Sequence, residues 1–170
     1  PRADMYSGEE VPDDEERLKY ITNFSGSAGH AIISANSEVK SVIISDGRYE
    51  LQLKKEVDPK KFDCLIGGFK DICLFLKKNE KKLKNVAIDP WLLTVKQYEL
   101  LKSLLKGSKI RFELVKKNLI DEIWVKKNVI VKNNIFEISH QINGEPASSK
   151  INRLKKIIKK NDCDFYILFN

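Results

Sequence analysis

Residues 23–52 read NFSGSAGHAIISANSEVKSVIISDGRYELQ. Two runs rich in β-branched residues, 31–34 and 39–45, flank four residues that favour a turn, Ala-Asn-Ser-Glu. This pattern predicts a β-hairpin. The residues before it, 24–29, are small apart from Phe24, and their glycines allow the backbone to approach its neighbours closely. The stretch therefore predicts an antiparallel strand pair that follows a tightly packed loop.

Strand and helix patterns alternate after the hairpin. Short apolar runs predict strands, whereas apolar residues at helical spacing predict amphipathic helices. Thr94 and Gln97 match a capping box at the start of one helix. Alternation of this kind after an initial hairpin predicts an α/β fold with a mixed sheet. The predicted strands span 62–66, 85–89 and 110–115, and the predicted helices span 13–20, 51–57, 69–78, 95–105 and 118–124.

The C-terminal residues predict a helix followed by a strand. Ser148 or Ser149 is suited to cap a helix with an apolar stripe, and 165–169 is an unbroken apolar run of the kind found in strands buried on both faces. Because such a strand needs neighbours and only Asn170 follows it, we expect the chain to be part of a longer protein, with poorly covered apolar residues at this end. The expected divisions are a first domain at 1–140, a linker at 141–147 and the start of a second domain at 148–170.

Composition excludes several classes of protein. The 170 residues are 42% hydrophobic and 32% charged, which rules out collagen-like and wholly disordered chains. No run approaches the roughly 20 apolar residues of a membrane-spanning helix, and the opening residues lack a signal-peptide pattern. Three cysteines without a CxxC pair favour a reducing, cytoplasmic compartment, with the thiols in the core. Only two histidines, His30 and His140, are available, so a histidine-centred metal or catalytic site is not expected.

The net charge of +7 is unevenly distributed. Residues 1–16 carry seven acids and one arginine, a charge of −6, so the rest of the chain carries +13. Most of that excess comes from lysines interleaved with aliphatic residues at helical spacing. A groove for single-stranded nucleic acid places aromatic side chains beside its cations. The lysines therefore indicate solvated helix faces rather than a nucleic-acid surface.

Two loops are candidate functional sites, and each has a structural alternative. The glycines of 24–29 could let backbone amides converge on an anion, but the glycine spacing of phosphate loops is absent and a strand follows, which favours tight packing. In Asp46-Gly47-Arg48-Tyr49, Arg48 could present its planar fork to a carboxylate or carbonyl of a ligand, or pair locally with Asp46 and close the turn. Adjacent carboxylates such as Asp121-Glu122 indicate a solvated surface.

Taken in order, these segments resemble the N-terminal part of X-Pro aminopeptidase (aminopeptidase P) in its long, three-domain form. The small-residue loop, the Asp-Gly-Arg-Tyr turn and a later Asn-Leu-x-Asp-x-Ile-Trp segment are specific in combination, and the resemblance covers nearly the whole chain. The motifs that carry it are Pro1-Arg2-Ala3-Asp4 with Glu9 and Pro12, Glu16-Arg17-Leu18, Ile21-Thr22-x-Phe24-x-Gly26-Ser27-Ala28-Gly29, Asp46-Gly47-Arg48-Tyr49-x-Leu51-Gln52, Ile88-Asp89-Pro90-Trp91 with Thr94, Asn118 to Trp124, and Gly144-Glu145 with Lys150.

The resemblance implies a creatinase-type N-terminal domain of ribonuclease-H-like fold. Its mixed six-stranded sheet would be flanked by helices and followed by the first helix and strand of a second, similar domain. In the family, the peptidase centre lies in a third domain, where two Asp, one His and two Glu bind two divalent metal ions, usually manganese. None of those ligands falls in this chain, so we expect no catalytic residue and no metal or other cofactor here, and no activity from the chain alone.

The function implied by the resemblance is that of an accessory domain. It would form one wall of the substrate cleft of an enzyme that removes the N-terminal residue from peptides with proline in second position. Arg48 would be the residue of this domain nearest the substrate. The implied partners are those short peptides, the enzyme's own second and catalytic domains, and a second copy in a homodimer; neither nucleic acid nor a membrane is expected. Two other interpretations stay open: a catalytically inactive relative that binds proteins, as histone-chaperone subunits do, and a basic module that binds nucleic acid.

Overall fold

The predicted hairpin forms the first sheet together with one further strand. The computed structural model describes residues 1–125, 134 and 136–168. Strand β1 (His30–Ile32) pairs antiparallel with β2 (Ser41–Ser45), which places Ala31 opposite Ile43. Strand β3 (Phe62–Ile66) pairs parallel with β2 on its other side. The sheet order is β1-β2-β3, so this sheet is mixed, as the sequence predicts.

The central strand of this sheet is buried on both faces. Val42, Ile43 and Ile44 of β2 are fully buried, as expected of a strand covered on both faces. Helix α1 (Arg17–Thr22) contributes Leu18 and helix α2 (Glu50–Glu56) contributes Leu53. The core cluster they form comprises Leu18, Phe24, Ile43, Leu53, Val57 and Phe62.

A second pair of strands forms a separate sheet. Strands β4 (Asn85–Ile88) and β5 (Arg111–Leu114) are parallel, and helices α3 (Phe69–Lys78) and α4 (Val95–Leu104) contact each other beside them. Their shared cluster comprises Cys73, Leu76, Leu101 and Leu105. The predicted capping box is confirmed, because the Thr94 hydroxyl accepts from the Gln97 amide while the Gln97 side chain accepts from the Thr94 amide.

Short elements complete the described residues. Three 3₁₀ turns span Asp13–Glu15, Gly47–Tyr49 and Pro90–Leu92, and helix α5 spans Leu119–Ile123. The chain divides into two compact units, 1–128 and 129–170. The second unit contains α6 (His140–Asn143) and α7 (Ala147–Lys160). The expected domain divisions at 140 and 147 stay predictions.

Several expectations for the strands are wrong or only partly met. The described residues contain five strands in two sheets, and β1 and β4 do not pair with each other, so the six-stranded sheet stays a prediction. Residues 165–168 do not form a strand; no described strand lies beside them and their side chains are 62–87% exposed. The last residue of that predicted strand, Phe169, lies outside the described residues.

Corrections also apply to the helix cap and the cysteines. Helix α7 begins one residue before Ser148, with Pro146 at its N-cap, so neither serine caps it. Cys73 is buried as predicted, but Cys64 and Cys163 are exposed, the first because β3 is an edge strand. In the part of the chain that the structure describes, every helix is too short or too polar to cross a lipid bilayer.

Candidate functional site

Arg48 lies on the 3₁₀ turn that joins β2 to α2, and it is held by a residue two positions earlier. The Asp46 carboxylate caps the turn by accepting from the Arg48 amide at 3.0 Å. The Arg48 guanidinium donates to the same carboxylate from Nε at 2.8 Å and from Nη2 at 2.9 Å. The local pair considered in the sequence analysis is therefore present, and one carboxylate fixes both the turn and the side chain.

The pairing with Asp46 leaves much of the Arg48 guanidinium exposed to solvent. Its side chain is 72% exposed, and its guanidinium carbon lies 5.3 Å from the centre of the Tyr49 ring. Among the described residues, Nη1 donates no hydrogen bond. The hydrogen bonds from Arg48 lower the pKa of Asp46 to about 2, and Asp46 raises the pKa of Arg48 in turn. Both groups are thus charged throughout the neutral range.

Tyr49 connects this turn to the small-residue loop. Its hydroxyl lies 2.5 Å from the Ser27 hydroxyl, a hydrogen bond that lowers the pKa of Tyr49. Its ring meets the edge of Phe24 at a centroid distance of 5.7 Å and an interplanar angle of 89°, a favourable aromatic geometry. The two motifs that stood out in the sequence therefore form one structural unit, which positions Arg48 at its surface.

The small-residue loop binds a carboxylate, but one supplied by the protein. Glu56 at the end of α2 accepts from the Ser25 amide at 2.8 Å and from the Ser25 hydroxyl at 2.9 Å. Gln52 donates to both Ser25 and Glu56. Because this internal anion already occupies the Ser25 amide, the geometry supports the packing interpretation of the loop over a phosphate cradle.

Gly26 is needed at the point of closest packing. A Cβ atom built there would lie 2.2 Å from Cζ of Phe24 and 2.8 Å from Cδ1 of Tyr49. Phe24 is 1% exposed, so its ring has no room to move away. The glycine thus permits the contact between the loop and the turn that carries Arg48.

Several other motif residues are brought together in pairs that sequence reasoning missed. Asn118 donates to Asp89 at 2.8 Å, and Arg2 donates to Glu16 at 2.7 and 3.0 Å. Tyr20 stacks on Trp124 with a centroid distance of 4.7 Å. No local spacing in the sequence marks these partners, because each pair joins segments separated by at least 14 residues. These motif positions are connections within the fold.

The described residues offer no constellation for metal or histidine chemistry. Nowhere in residues 1–125, 134 or 136–168 do three His, Cys, Asp or Glu side chains come together in a group that could hold a metal ion. Burial lowers the pKa of His30 to about 4, and its ring meets Phe69 edge to face. His30 is therefore neutral at pH 7 and part of the packing.

Known proteins are similar to this chain over nearly its whole length. The model of the creatinase/prolidase N-terminal domain family matches residues 12–121. A probable Xaa-Pro aminopeptidase P of Laccaria bicolor is 29% identical over 172 residues, which cover 99% of this chain and 26% of the relative. Xaa-Pro aminopeptidase 1 of Dictyostelium discoideum is 29% identical over 178 residues, with coverages of 99% and 28%. The chain thus spans about a quarter of the length of these curated relatives.

Solved structures share the fold. X-prolyl aminopeptidase of Caenorhabditis elegans, described as a cytosolic enzyme with a di-nuclear active site, superposes with a TM-score of 0.73 at 22% identity; the match covers 96% of this chain and 27% of that one. The N-terminal domain of the cytoplasmic peptidase PepQ of Mycobacterium tuberculosis gives a TM-score of 0.50 at 21% identity, over 58% of this chain and 74% of that one.

Proposed function

The chain belongs to the creatinase/prolidase N-terminal domain family, and we propose that it is the non-catalytic N-terminal part of an Xaa-Pro aminopeptidase. In this proposal it limits access of short peptides to a reaction centre in the rest of the enzyme. The observation that carries the proposal is the alignment of curated Xaa-Pro aminopeptidases with 99% of this chain, which accounts for only 26–28% of their length. The six-stranded sheet and the cytoplasmic location implied by the resemblance belong to the same proposal.

The reaction centre itself is assigned to the part of the enzyme outside this chain. The C. elegans relative has a di-nuclear active site, which supports two divalent metal ions, manganese in our proposal, in the complete enzyme. The described residues do not fit such a centre, because no three of their potential ligands cluster. No step of the hydrolysis is therefore assigned to the described residues.

Arg48 is proposed to contact the peptide substrate. A guanidinium carries five N–H groups, of which the Asp46 carboxylate accepts two. The remaining N–H groups are available to a carbonyl or carboxylate without loss of the Asp46 pair. Because Asp46 already holds the Arg48 guanidinium in place, the Arg48 side chain would lose less conformational entropy on binding a ligand than a freely rotating arginine would. This arrangement supports a role for Arg48 in positioning peptides at the cleft. The other proposed partners of the chain are the second and catalytic domains of the enzyme and a second copy in a homodimer.

The test uses the complete enzyme with Arg48→Ala beside a matched control. Lys54→Ala removes another exposed cation, from α2, whose partner is Glu50 on the same helix. Assays use manganese and several X-Pro peptides. Arg48→Ala is expected to raise KM about tenfold, which corresponds to the loss of one charge-assisted hydrogen bond. Its circular dichroism spectrum is expected to stay unchanged. Lys54→Ala is expected to leave KM unchanged.

The possible outcomes separate the parts of the proposal. Unchanged kinetics for Arg48→Ala on all peptides would remove the substrate role of Arg48 alone. Absence of hydrolysis by the unmodified complete protein with any divalent metal would overturn the peptidase assignment and favour an inactive, protein-binding relative. Hydrolysis of X-Pro peptides by residues 1–170 alone would contradict the non-catalytic role.

A further inference from the structure

The segment that carries Arg48 has equal numbers of acidic and basic side chains. Residues 46–56 form the turn, its cap and helix α2. Their charged side chains are those of Asp46, Glu50 and Glu56 and those of Arg48, Lys54 and Lys55. Lys54 donates to Glu50 at 2.6 Å, just as Arg48 donates to Asp46. Both of these cations therefore already have a carboxylate partner, and the segment as a whole has no net charge.

The hydrogen-bond donors that Arg48 keeps lie outside its pair with Asp46. Asp46 binds the edge of the guanidinium formed by Nε and Nη2, which leaves two N–H groups on Nη1 and one on Nη2. These donors belong to the same planar, delocalised cation that Asp46 binds. A ligand at Nη1 thus meets donors whose positive charge is already compensated by a neighbouring carboxylate.

The compensation by Asp46 favours a neutral acceptor over an anionic one. A carboxylate at Nη1 would be attracted by Arg48 and repelled by Asp46, which occupies another edge of the same guanidinium. It would also lose more hydration than a carbonyl does. A carbonyl oxygen accepts the same N–H groups without that repulsion. The pair is therefore better suited to an uncharged group.

The residue one turn further along the helix is uncharged as well. Leu51 follows Arg48 by three residues, a spacing that places two side chains on the same face of a helical turn. Leu51 is 82% exposed. It offers apolar surface at a position where a second cation would strengthen the binding of an anion. The surroundings of Arg48 are thus those of an uncharged stretch of peptide.

We infer that Arg48 donates from Nη1 to a main-chain carbonyl of the peptide substrate, beyond the proline, and not to its C-terminal carboxylate. This inference rests on the proposed function and narrows the ligand of the same site. The N-terminal residue and the proline lie at the reaction centre outside this chain, so the residues that reach Arg48 are those after the proline. Because every later residue carries a carbonyl, Arg48 makes no demand on the C-terminus. Peptides with a C-terminal amide are therefore substrates as good as the free acids.

The test compares two forms of each peptide in the complete enzyme with manganese. X-Pro peptides of three to six residues are made with a free C-terminal carboxylate and with a C-terminal amide, which removes the charge but keeps every carbonyl. Each is assayed with the unmodified enzyme, with Arg48→Ala and with Lys54→Ala, the control that removes an exposed cation paired with Glu50. KM is measured at about 0.05 and about 0.5 M sodium chloride, since salt screens exposed charges. Circular dichroism of each variant checks its fold.

Arg48→Ala is expected to raise KM about tenfold for every peptide long enough to reach it, and by the same factor for the free acid and the amide. The factor is expected to be equal at the two salt concentrations, because the acceptor is uncharged. Lys54→Ala is expected to leave KM unchanged for both forms.

A second probe identifies the carbonyl itself. Peptides in which one C=O after the proline is replaced by C=S carry a weaker hydrogen-bond acceptor at that position. One such replacement is expected to raise KM severalfold in the unmodified enzyme. The same replacement should have no effect in Arg48→Ala, because the contact is already lost.

The outcomes separate this inference from the proposed function. An effect of Arg48→Ala that is confined to the free acids, or that disappears at high salt, would overturn the inference and leave the peptidase assignment intact, because the ligand would then be the carboxylate. An unchanged KM for all peptides would overturn any contact between Arg48 and the substrate. Absence of hydrolysis by the unmodified enzyme would overturn the proposed function, and this inference with it.

Discussion

Arg17 and Asp121 lie 104 residues apart in the sequence, yet their side chains form two parallel hydrogen bonds. Nε of Arg17 donates to Oδ1 of Asp121 at 2.8 Å, and Nη2 donates to Oδ2 at 2.9 Å. Glu15 accepts a third bond from Nη1. Burial alone would lower the pKa of Arg17, but the hydrogen bonds to Asp121 and Glu15 raise it above its usual value. This buried cation therefore ties α1 to α5, two helices that are far apart in the sequence.

Replacement of Asp121 by alanine is expected to destabilise the first unit. The Arg17 side chain is only 9% exposed and that of Asp121 22%, so the variant leaves a largely buried charge with fewer partners. Loss of one partner of such a pair costs about 1–3 kcal/mol when the other stays partly satisfied, as here by Glu15. Urea unfolding measures the change. Glu99→Ala, which removes an exposed i,i+3 partner of Lys102, is the control and is expected to cost less than about 0.5 kcal/mol. Equal losses in the two variants would contradict the role assigned to Asp121.

Gly26→Ala is expected to be the most damaging glycine substitution in the loop before β1. The added methyl group would overlap the rings of Phe24 and Tyr49, at 2.2 and 2.8 Å, and the buried Phe24 cannot move without disturbing the core. Overpacking of this kind costs about 1–3 kcal/mol. Thermal unfolding provides the measurement, and NMR chemical shifts of the Tyr49 ring report whether it leaves its contact with Ser27.

Gly68→Ala is the matched control for that substitution. Gly68 precedes α3, has an extended backbone, and no atom lies within 4 Å of a Cβ built there. Because alanine is a poorer N-cap than glycine, the replacement of Gly68 is expected to cost about 0.5–1 kcal/mol, less than Gly26→Ala. If Gly26→Ala and Gly68→Ala have equal stabilities, the packing explanation for the loop is wrong.

His30 is expected to make the stability depend on pH between about 6.5 and 4. Its folded pKa is lowered by burial to about 4, from an ordinary value of 6.5. As pH falls through 6.5, the unfolded chain takes up the proton first, so stability decreases until about pH 4 and then levels off. The full effect is about 3 kcal/mol. Urea unfolding at pH 7.5, 6.5, 5.5 and 4.5 should show this decline relative to His30→Asn, which does not titrate; parallel curves would contradict it.

Local signals in the sequence predicted individual elements well. Strand β3 and helix α3 have the predicted bounds, 62–66 and 69–78, because Gly67-Gly68 separates them and Asn79 follows the helix. The turn that carries Arg48 and the Thr94 cap were likewise local, since their hydrogen bonds span two or three residues.

Relationships between distant segments could not be predicted in the same way. Nothing in the sequence around Arg17 distinguishes Asp121 from the other acids as its partner, because the pairing depends on where α5 lies. An apolar run does not reveal whether its strand is central or at an edge, so the exposure of Cys64 on β3 was missed. The division into two sheets depends on which distant strands pair with each other, and local sequence does not reveal this.

The orientation of Arg48 is expected to depend on Asp46, which acts as a positioning residue. Asp46→Asn keeps an oxygen that can accept from the Arg48 amide but removes the negative charge that holds Nε and Nη2. In the complete enzyme proposed above, this substitution should raise KM about two- to threefold with kcat unchanged, less than Arg48→Ala does.

The double variant Asp46→Asn/Arg48→Ala tests whether Asp46 acts through Arg48. If it does, the double variant has the KM of Arg48→Ala alone, because Asp46 then has nothing left to position. Since the pKa of Asp46 is about 2 in the folded chain, its effect should also be constant from pH 5 to pH 9. If the double variant's KM increase equals the product of the two single increases, Asp46 influences the substrate by another route. The same conclusion holds if the effect of Asp46→Asn disappears within this pH range.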